Sequence, residues 1–155
     1  MNIALSRERQ ENIREMIQYV LAKNLDGDIL DIGVYEGGSS CILLRELLKN
    51  GVSDRRIFLY DTFTGMPEPT IEDGTHIKER YDMFGPNNWV KGPLDMVQSN
   101  VNKTSYPPEN IEYVVGLVED TLSNHPHKQI AYMRLDTDFY QSTKIELEEL
   151  YPFVV

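Results

Sequence analysis

Ile29-Leu-Asp-Ile-Gly-Val-Tyr-Glu-Gly-Gly-Ser-Ser40 is the stretch that decides the fold. A short apolar run that ends at Ile32 is typical of a buried parallel strand, and the chain turns at Gly33 directly after it. A helix is predicted to begin at the glycine pair that starts with Gly37. Its predicted apolar face consists of Cys41, Leu44, Leu47 and Leu48. The segment therefore predicts a strand, a glycine turn and a helix in succession.

A glycine turn of this kind is suited to binding a ligand with a negatively charged end. Backbone without side chains allows close approach, and the N-terminus of a helix offers free N–H groups to an anion. A dinucleotide fingerprint would need a second glycine where Tyr35 stands, and Tyr35 obstructs a pyrophosphate but not an amino-acid carboxylate. We expect Gly33, Gly37 and Ser39 to hold such a carboxylate, with Tyr35 in the same cofactor-binding turn.

The second half of the ligand signal is Asp61, which ends the predicted strand Arg56-Ile-Phe-Leu-Tyr-Asp61. An acid about 25 residues after the glycine turn is placed to accept hydrogen bonds from both ribose hydroxyls. The alternative, a capping role, is less favoured because residues 62–69 are rich in turn formers rather than helical. A nucleoside that carries an amino acid is S-adenosylmethionine. Phe63 and Met66 are candidate walls for its adenine, although core packing explains them equally well.

Several further segments resemble those of known methyltransferases. Leu30-Asp-Ile-Gly-Val-Tyr-Glu-Gly-Gly-Ser39 is similar to motif I of the catechol-type O-methyltransferases. Four others resemble, in order and spacing, the macrocin (TylF-type) O-methyltransferase family: Tyr60-Asp-Thr-Phe-Thr-Gly-Met-Pro-Glu-Pro69, Gly92-Pro-Leu-Asp-Met-Val97, Gly116-Leu-Val-Glu-Asp-Thr-Leu122 and Arg134-Leu-Asp-Thr-Asp-Phe-Tyr-Gln-Ser-Thr143. The resemblance implies an α/β, Rossmann-like doubly wound sheet of the class I methyltransferase type. It also implies methylation of sugar hydroxyls with S-adenosylmethionine and a divalent metal.

Acids follow the third and fourth predicted strands, 111–115 and 130–135. Asp120 or Glu119 is expected either to reach the adenine or to cap a helix that begins at Thr121. Asp136 and Asp138 would raise each other's pKa unless a cation lay between them, and such oxygen ligands suit Mg²⁺.

The family resemblance gives these last two acids separate roles. It implies that Asp136 is a metal ligand, which leaves Asp138 as the general base or as an orienting residue; both are our candidate catalytic residues. The alternative for Asp138 is a cap on the helix 139–150. Arg134 is expected on the opposite side of its strand, paired with an acid.

Residues 70–92 are expected to form an irregular lid or insertion over the mouth of the site. Trp89, with Tyr81, Met83 and Phe84, is the candidate acceptor-binding surface, and a local cluster that pins the loop is an equal alternative. His76 is a weaker candidate base or ligand, and His125-Pro-His127 is expected to be a surface loop.

We expect one S-adenosylmethionine-binding domain over 1–155. The resemblance implies a fold that continues with further strands, so either the domain is incomplete at Val155 or a second copy covers the sheet edge, which would make a homo-oligomer.

Composition narrows the partners. The chain has 25 acidic and 15 basic residues and a net charge of −10, which disfavours nucleic acid and anionic membranes. Its single cysteine, Cys41, and the lack of a signal peptide or spanning segment favour the cytoplasm.

The function predicted at this point is transfer of a methyl group from S-adenosylmethionine to a hydroxyl of a glycoside or other natural product, assisted by Mg²⁺. A nucleotide-cofactor enzyme of another reaction type is a further possibility that Tyr35 disfavours. The rival class is a degenerate, non-catalytic nucleoside-binding or assembly module.

Overall fold

The computed structural model describes residues 4–86 and 88–155, and four strands in it form one parallel sheet. The strands are β1 (Asp28–Ile32), β2 (Ile57–Asp61), β3 (Ile111–Val115) and β4 (Ile130–Leu135). Their order is β3-β2-β1-β4, and each neighbouring pair is parallel. Because the chain crosses from β3 to the far side of β1, the direction of strand succession reverses beside β1. The α/β doubly wound architecture and all four strands are as the sequence predicts.

Within the part of the chain that the structure describes, six α-helices pack on the sheet or beside it. They are α1 (Arg7–Ala22), α2 (Gly38–Lys49), α3 (Thr75–Phe84), α4 (Leu94–Asn102), α5 (Val118–Thr121) and α6 (Tyr140–Leu150). Ser6 caps α1, since its hydroxyl accepts the backbone N–H of Arg9 at 3.3 Å. In the described residues no helix is both long and apolar enough to cross a bilayer.

The sheet is covered on both faces, which explains why β1 is apolar apart from two acids, Asp28 at its start and Asp31 within it. The side chains of β1 alternate, so that Ile29 joins the cluster formed with α1, α2 and α4, whereas Leu30 and Ile32 join the cluster formed with α5 and α6. Every residue of β1 is buried. A strand buried on both faces can bring Asp31 into the interior only if that carboxylate has partners there.

The segment 70–92 has more regular structure than the sequence suggests. A 3₁₀ turn covers Ile71–Asp73 and α3 follows it, where an irregular excursion is expected from the sequence. The helix escapes detection because only Tyr81 on it is buried, so no apolar stripe marks its period. The segment is also joined to the loop after β2, because the backbone N–H of Met66 donates to the carbonyl of Trp89 at 2.9 Å.

His127 is a second correction, because it is not a surface residue. Its side chain is fully buried, and its ring nitrogens lie 2.8 Å from Asp28 Oδ2 and 2.7 Å from the hydroxyl of Tyr60. Burial lowers the pKa of His127. In the neutral ring this arrangement has Nδ1–H donating to Asp28 and Nε2 accepting the Tyr60 O–H. The loop before β4 is thereby fixed to the first two strands.

Candidate functional site

A cavity of about 490 Å³ opens at the carboxyl ends of the strands, where the strand order reverses. Open α/β sheets bind ligands at this place because the loops there diverge and leave a crevice. Four segments at the ends of the four strands form about half of the wall. They are Gly33–Tyr35 after β1, Asp61 and Thr62 at the end of β2, Gly116–Glu119 after β3 and Asp136–Asp138 after β4.

Glycines let the loops around this cavity approach one another closely. Gly33 has φ +82°, and a Cβ there would stand 2.3 Å from the carbonyl oxygen of Asp136. Gly92 is equally restricted, since a Cβ on it would stand 2.0 Å from the carbonyl oxygen of Tyr35. The glycine turn is thus held between the loop after β4 and the segment before α4.

Among the predicted carboxylate-binding residues, Gly37 does not line the cavity, and the hydroxyl of Ser39 is already hydrogen-bonded. Gly37 lies behind the cavity wall, where a Cβ would meet Val97 at 3.3 Å, and Gly38 lines the cavity in its place. Ser39 does line the cavity, but its hydroxyl donates to Asp31 Oδ2 at 2.7 Å. The helix N-terminus therefore faces the cavity through Gly38 and Ser39.

Tyr35 and Asp61, which are predicted from separate signals, are in direct contact. The backbone N–H of Tyr35 donates to Asp61 Oδ2 at 2.9 Å, and that of Phe63 donates to Asp61 Oδ1 at 2.8 Å. The Thr62 hydroxyl also lies 3.4 Å from Oδ1, whereas Oδ2 accepts the Tyr35 N–H alone among the described residues and so keeps acceptor capacity for a ligand. Asp61 is therefore oriented by the glycine turn and by its own loop while it faces the cavity.

A buried network of charges supports the floor. Asp31 is fully buried and accepts the hydroxyls of Ser39 and Ser40 together with Nη1 of Arg134 at 2.9 Å. Nη2 of the same guanidinium binds the carboxylate of Asp136. Although burial opposes its charge, these two acids raise the pKa of Arg134. Arg134 thus lies on the cavity side and bridges β1 to the loop after β4, contrary to the opposite-side position that we expect from the sequence.

Asp136 and Asp138 both line the cavity, together with four of the cofactor-binding candidates, Gly33, Tyr35, Ser39 and Asp61. Partial desolvation by the cavity wall raises the pKa of Asp138, and the negative charge of Asp136 adds to the effect. The capping alternative for Asp138 is not what the structure shows, because the first N–H of α6, that of Tyr140, donates to Asp73 Oδ1 at 2.8 Å. Asp138 is left facing the cavity with φ +68°.

The side chains around Asp136 do not by themselves form a metal centre. Within residues 4–86 and 88–155 no three His, Cys, Asp or Glu side chains are grouped so that they could hold an ion. The positive charge next to Asp136 is instead the guanidinium of Arg134. His76 lies outside the cavity wall. The described residues therefore offer Asp136 as one oxygen ligand but do not make a complete metal site.

Phe63 and Asp120 do not line the cavity, in contrast to the prediction. Phe63 is 4% exposed and packs in the core, with its ring 6.4 Å from that of Tyr113, because its backbone turns inward at φ +56°. Met66 lines the cavity, as the other adenine-wall candidate. Asp120 points to solvent from α5, and Glu119 lines the cavity and accepts the Ser142 hydroxyl at 2.7 Å.

Among the described residues of the 70–92 segment, Trp89 and Val90 line the cavity. Its ring stacks on that of Phe84 at 6.1 Å and lies 6.4 Å from the ring of Phe139. Tyr81 on α3 is buried and does not line the cavity. Met83 is 79% exposed and does not line it either. The aromatic surface at the cavity mouth is therefore narrower than the predicted acceptor-binding surface.

Sequence reasoning missed the structural acids Asp31 and Glu146. Glu146 is fully buried on α6, and neither of its carboxyl oxygens has a hydrogen-bond partner among the described residues. Burial raises the pKa of Glu146 to about 7, with a smaller contribution from the charges of Glu119 and Asp136. Asp31 is signalled only by its position as the one acid inside an apolar strand, and Glu146 carries no local signal because acids surround it on the helix.

Comparison with known proteins gives a consistent family assignment. The model of the family described as Macrocin-O-methyltransferase (TylF) matches residues 3–155. A tetracenomycin-type relative from Streptomyces olivaceus, the 8-demethyl-8-(2,3-dimethoxy-alpha-L-rhamnosyl)-tetracenomycin-C 4'-O-methyltransferase, is 33% identical over 94% of this chain and 55% of its own length. The demethyldecarbamoylnovobiocin O-methyltransferase of Streptomyces niveus is 33% identical over 95% of this chain and 56% of its own.

A solved structure agrees with these sequence matches. The O-methyltransferase NovP superposes with a TM-score of 0.78 at 33% identity, over 94% of this chain and 60% of that one. The chain spans a little over half the length of the curated relatives that it matches.

Proposed function

The chain belongs to the macrocin O-methyltransferase (TylF) family, and from that premise we propose that it transfers a methyl group from S-adenosylmethionine to a hydroxyl of a glycoside or other natural product. The observation that carries the proposal is the contact between the glycine turn and Asp61 at one wall of the cavity. That contact brings together an anion-binding helix N-terminus and a carboxylate that retains acceptor capacity. These are the two features that an amino acid linked to a nucleoside needs.

The proposed position of the cofactor follows the cavity wall. The amino-acid carboxylate would lie at Gly33, Gly38 and Ser39, and the ribose hydroxyls would donate to Asp61. The adenine would then reach the segment after β3, where Glu119 can accept a hydrogen bond from its amino group. Asp120 is withdrawn from this role because it points to solvent, and Phe63 because it is buried in the core.

The chemistry that S-adenosylmethionine supplies is an electrophilic methyl group on a sulfonium. The protein's contribution would be orientation of the acceptor hydroxyl and removal of its proton. Asp138 lines the cavity with a raised pKa, which makes it the better base candidate, whereas the carboxylate of Asp136 is held by Arg134. Arg134 in turn is fixed by Asp31, so the network keeps the loop after β4 in place.

Participation of Mg²⁺ stays a prediction. The resemblance to the family assigns Asp136 as a ligand, and Asp136 lines the cavity, but the described residues include no group of three side chains that could hold the ion. The proposed catalytic steps do not depend on the ion.

The segment 70–92 is proposed as the acceptor-side lid of a single domain, with Trp89 and Val90 at the cavity.

Cofactor binding is tested first, by calorimetry with S-adenosylmethionine. Asp61→Ala should weaken binding about 10- to 100-fold, because two hydrogen bonds to a charged group are lost. Asp54→Ala, which removes an exposed acid away from the cavity, is the matched control and should bind as the unaltered protein does. Circular dichroism of each variant checks that the fold is kept. Equal affinity of the Asp61 variant, or no binding by the unaltered protein, would refute the proposed cofactor site.

Methyl transfer is tested with labelled S-adenosylmethionine and a panel of glycosides that includes the demethylated acceptor named for the novobiocin relative. Asp138→Asn should abolish label transfer and leave cofactor affinity unchanged. If label transfer persists in the variant, Asp138 is not the base. If the unaltered protein binds the cofactor but transfers no label to any acceptor, the non-catalytic binding module becomes the better description.

A further inference from the structure

The loop that carries the candidate base runs directly into α6, and the start of that helix is held from outside. Only Phe139 stands between Asp138 and Tyr140, the first residue of α6. The backbone N–H of Tyr140 donates to Asp73 Oδ1 at 2.8 Å, although the two residues are 67 positions apart. Asp73 therefore connects the lid segment to the helix that follows the base.

Asp73 is rigidly placed to make this contact. Its second oxygen, Oδ2, accepts the backbone N–H of Thr70 at 2.7 Å and the Thr70 hydroxyl at 3.0 Å. Thr70 and Asp73 form a capping box on the 3₁₀ turn. Although partial desolvation opposes its charge, the N–H groups of Tyr140 and Thr70 lower the pKa of Asp73. A carboxylate with both oxygens engaged cannot rotate away without breaking the turn that holds it.

The lid meets the same short stretch at a second point. The ring of Trp89 lies 6.4 Å from the ring of Phe139, and the carbonyl of Trp89 accepts the N–H of Met66. Phe139 is 5% exposed, so this contact is part of the core and not a surface encounter. The lid is therefore attached to the residues on the C-terminal side of Asp138 by one hydrogen bond and one aromatic contact.

Asp138 itself needs such support. It is a non-glycine residue at φ +68°, and a backbone in this region persists only where its surroundings impose it. We propose that Asp73 is a positioning residue that, by holding the first turn of α6, keeps Asp138 aimed at the acceptor and couples the lid to the site of proton removal. This inference depends on the proposed function only for the role of Asp138, since the contact between Asp73 and α6 does not depend on it.

The test separates the hydrogen bond from the side chains that carry it. Asp73→Ala removes the acceptor, and Asp73→Asn keeps an oxygen at the same place for the Tyr140 N–H. The donor is removed in Tyr140→Pro, which has no backbone N–H at this position. Tyr140→Ala keeps the N–H, so the difference between these two variants reports the loss of the hydrogen-bond donor. Proline is well tolerated at the first helical position, and Phe139 already has the extended backbone, φ −101° and ψ 149°, that precedes proline. Glu72→Ala, at an exposed neighbour, is the control for Asp73.

Turnover and cofactor binding are then compared across the set. We expect Asp73→Ala and Tyr140→Pro to lower kcat about tenfold, because loss of orientation slows the chemical step. The dissociation constant for S-adenosylmethionine should stay within about twofold, because the glycine turn and Asp61 are untouched. Asp73→Asn should recover part of the rate, because its oxygen can accept the Tyr140 N–H while its NH2 group cannot accept the Thr70 N–H. Tyr140→Ala and Glu72→Ala should match the unaltered protein. The double variant of Asp73→Ala with Tyr140→Pro should be no slower than either single variant.

Amide hydrogen exchange provides a measurement that does not need an acceptor. Asp73→Ala should lose protection at residues 138–142, with the rest of α6 and the sheet protected as before. Unchanged protection at residues 138–142 in Asp73→Ala would overturn the proposal, and so would an unchanged kcat in Tyr140→Pro. A loss of cofactor affinity as large as the loss of rate in either variant would also overturn it. If the unaltered protein transfers no methyl group, the proposed function fails, and the exchange result still decides whether Asp73 holds α6.

Discussion

Glu146 is a carboxylic acid without a hydrogen-bond donor in the described structure, and it lies behind the loop of the candidate base. Its side chain is fully buried, and this burial raises the pKa more than the nearby Thr137 hydroxyl, which is not within hydrogen-bond geometry, lowers it. Transfer of an ionised carboxylate to such a place is costly, so the folded protein favours the protonated form. The acid is therefore neutral in the fold at pH values where the unfolded chain has already ionised it.

The free energy of unfolding should consequently depend on pH through Glu146. The pKa rises on folding from 4.5 to about 7, so this stabilisation is fully present below about pH 4.5 and is lost as the pH rises through about 7. At about 1.4 kcal/mol per pKa unit the change amounts to about 3 kcal/mol. Glu146→Gln should remove this dependence, while Glu149→Gln, at an exposed position of the same helix, should keep it. Urea unfolding at pH 5 and pH 8 measures both, and parallel pH dependences for the two variants would contradict the assignment.

At the scale of elements, the loop before β4 shows how one buried side chain fixes a connection. His127 joins the start of β1, through Asp28, to the hydroxyl of Tyr60 in β2. The rings of Phe58 and His127 also meet edge to face at 4.4 Å. Because the imidazole must stay neutral, this loop is expected to loosen as the pH falls below about 6.5, the opposite sign to Glu146.

His127→Ala should reduce the free energy of unfolding by about 3 kcal/mol, since two buried polar partners lose their hydrogen bond. Tyr60→Phe removes the hydroxyl that binds His127, so no unpaired hydroxyl remains at position 60. The double variant should therefore lose less stability than the sum of the two single losses, as measured by urea unfolding at pH 7.5. Strict additivity of the two losses would show that the hydroxyl and the imidazole are not coupled.

The whole molecule should become more stable when the proposed cofactor is bound. A ligand that binds only the folded state at 100 times its dissociation constant adds about 2.7 kcal/mol. For a chain of this size that corresponds to a rise in Tm of about 5–10 °C. Differential scanning fluorimetry with S-adenosylmethionine and with S-adenosylhomocysteine measures the shift, with adenosine alone as the control for the amino-acid end. A shift as large with adenosine would place the binding energy outside the glycine turn.

Much of the fold was predictable because its signals are local. The four strands, the glycine turn and α2 follow from apolar runs and from glycine positions. The polar helix α3 was missed for the same reason, since it buries only Tyr81 and so lacks an apolar period. His127 was misplaced because the burial of a histidine beside a proline depends on partners far away in the chain.

The amino-acid sequence by itself determined the four strands, the parallel sheet, the place of the cavity and the family. These depend on short-range periodicity and on the rule that strand ends gather at one edge of a sheet. Only the tertiary structure decided that Met66 rather than Phe63, and Glu119 rather than Asp120, line the cavity, and that Asp73 caps α6. The physical reason is that the direction of a side chain after a turn depends on a few backbone angles, and packing against residues distant in sequence sets those angles.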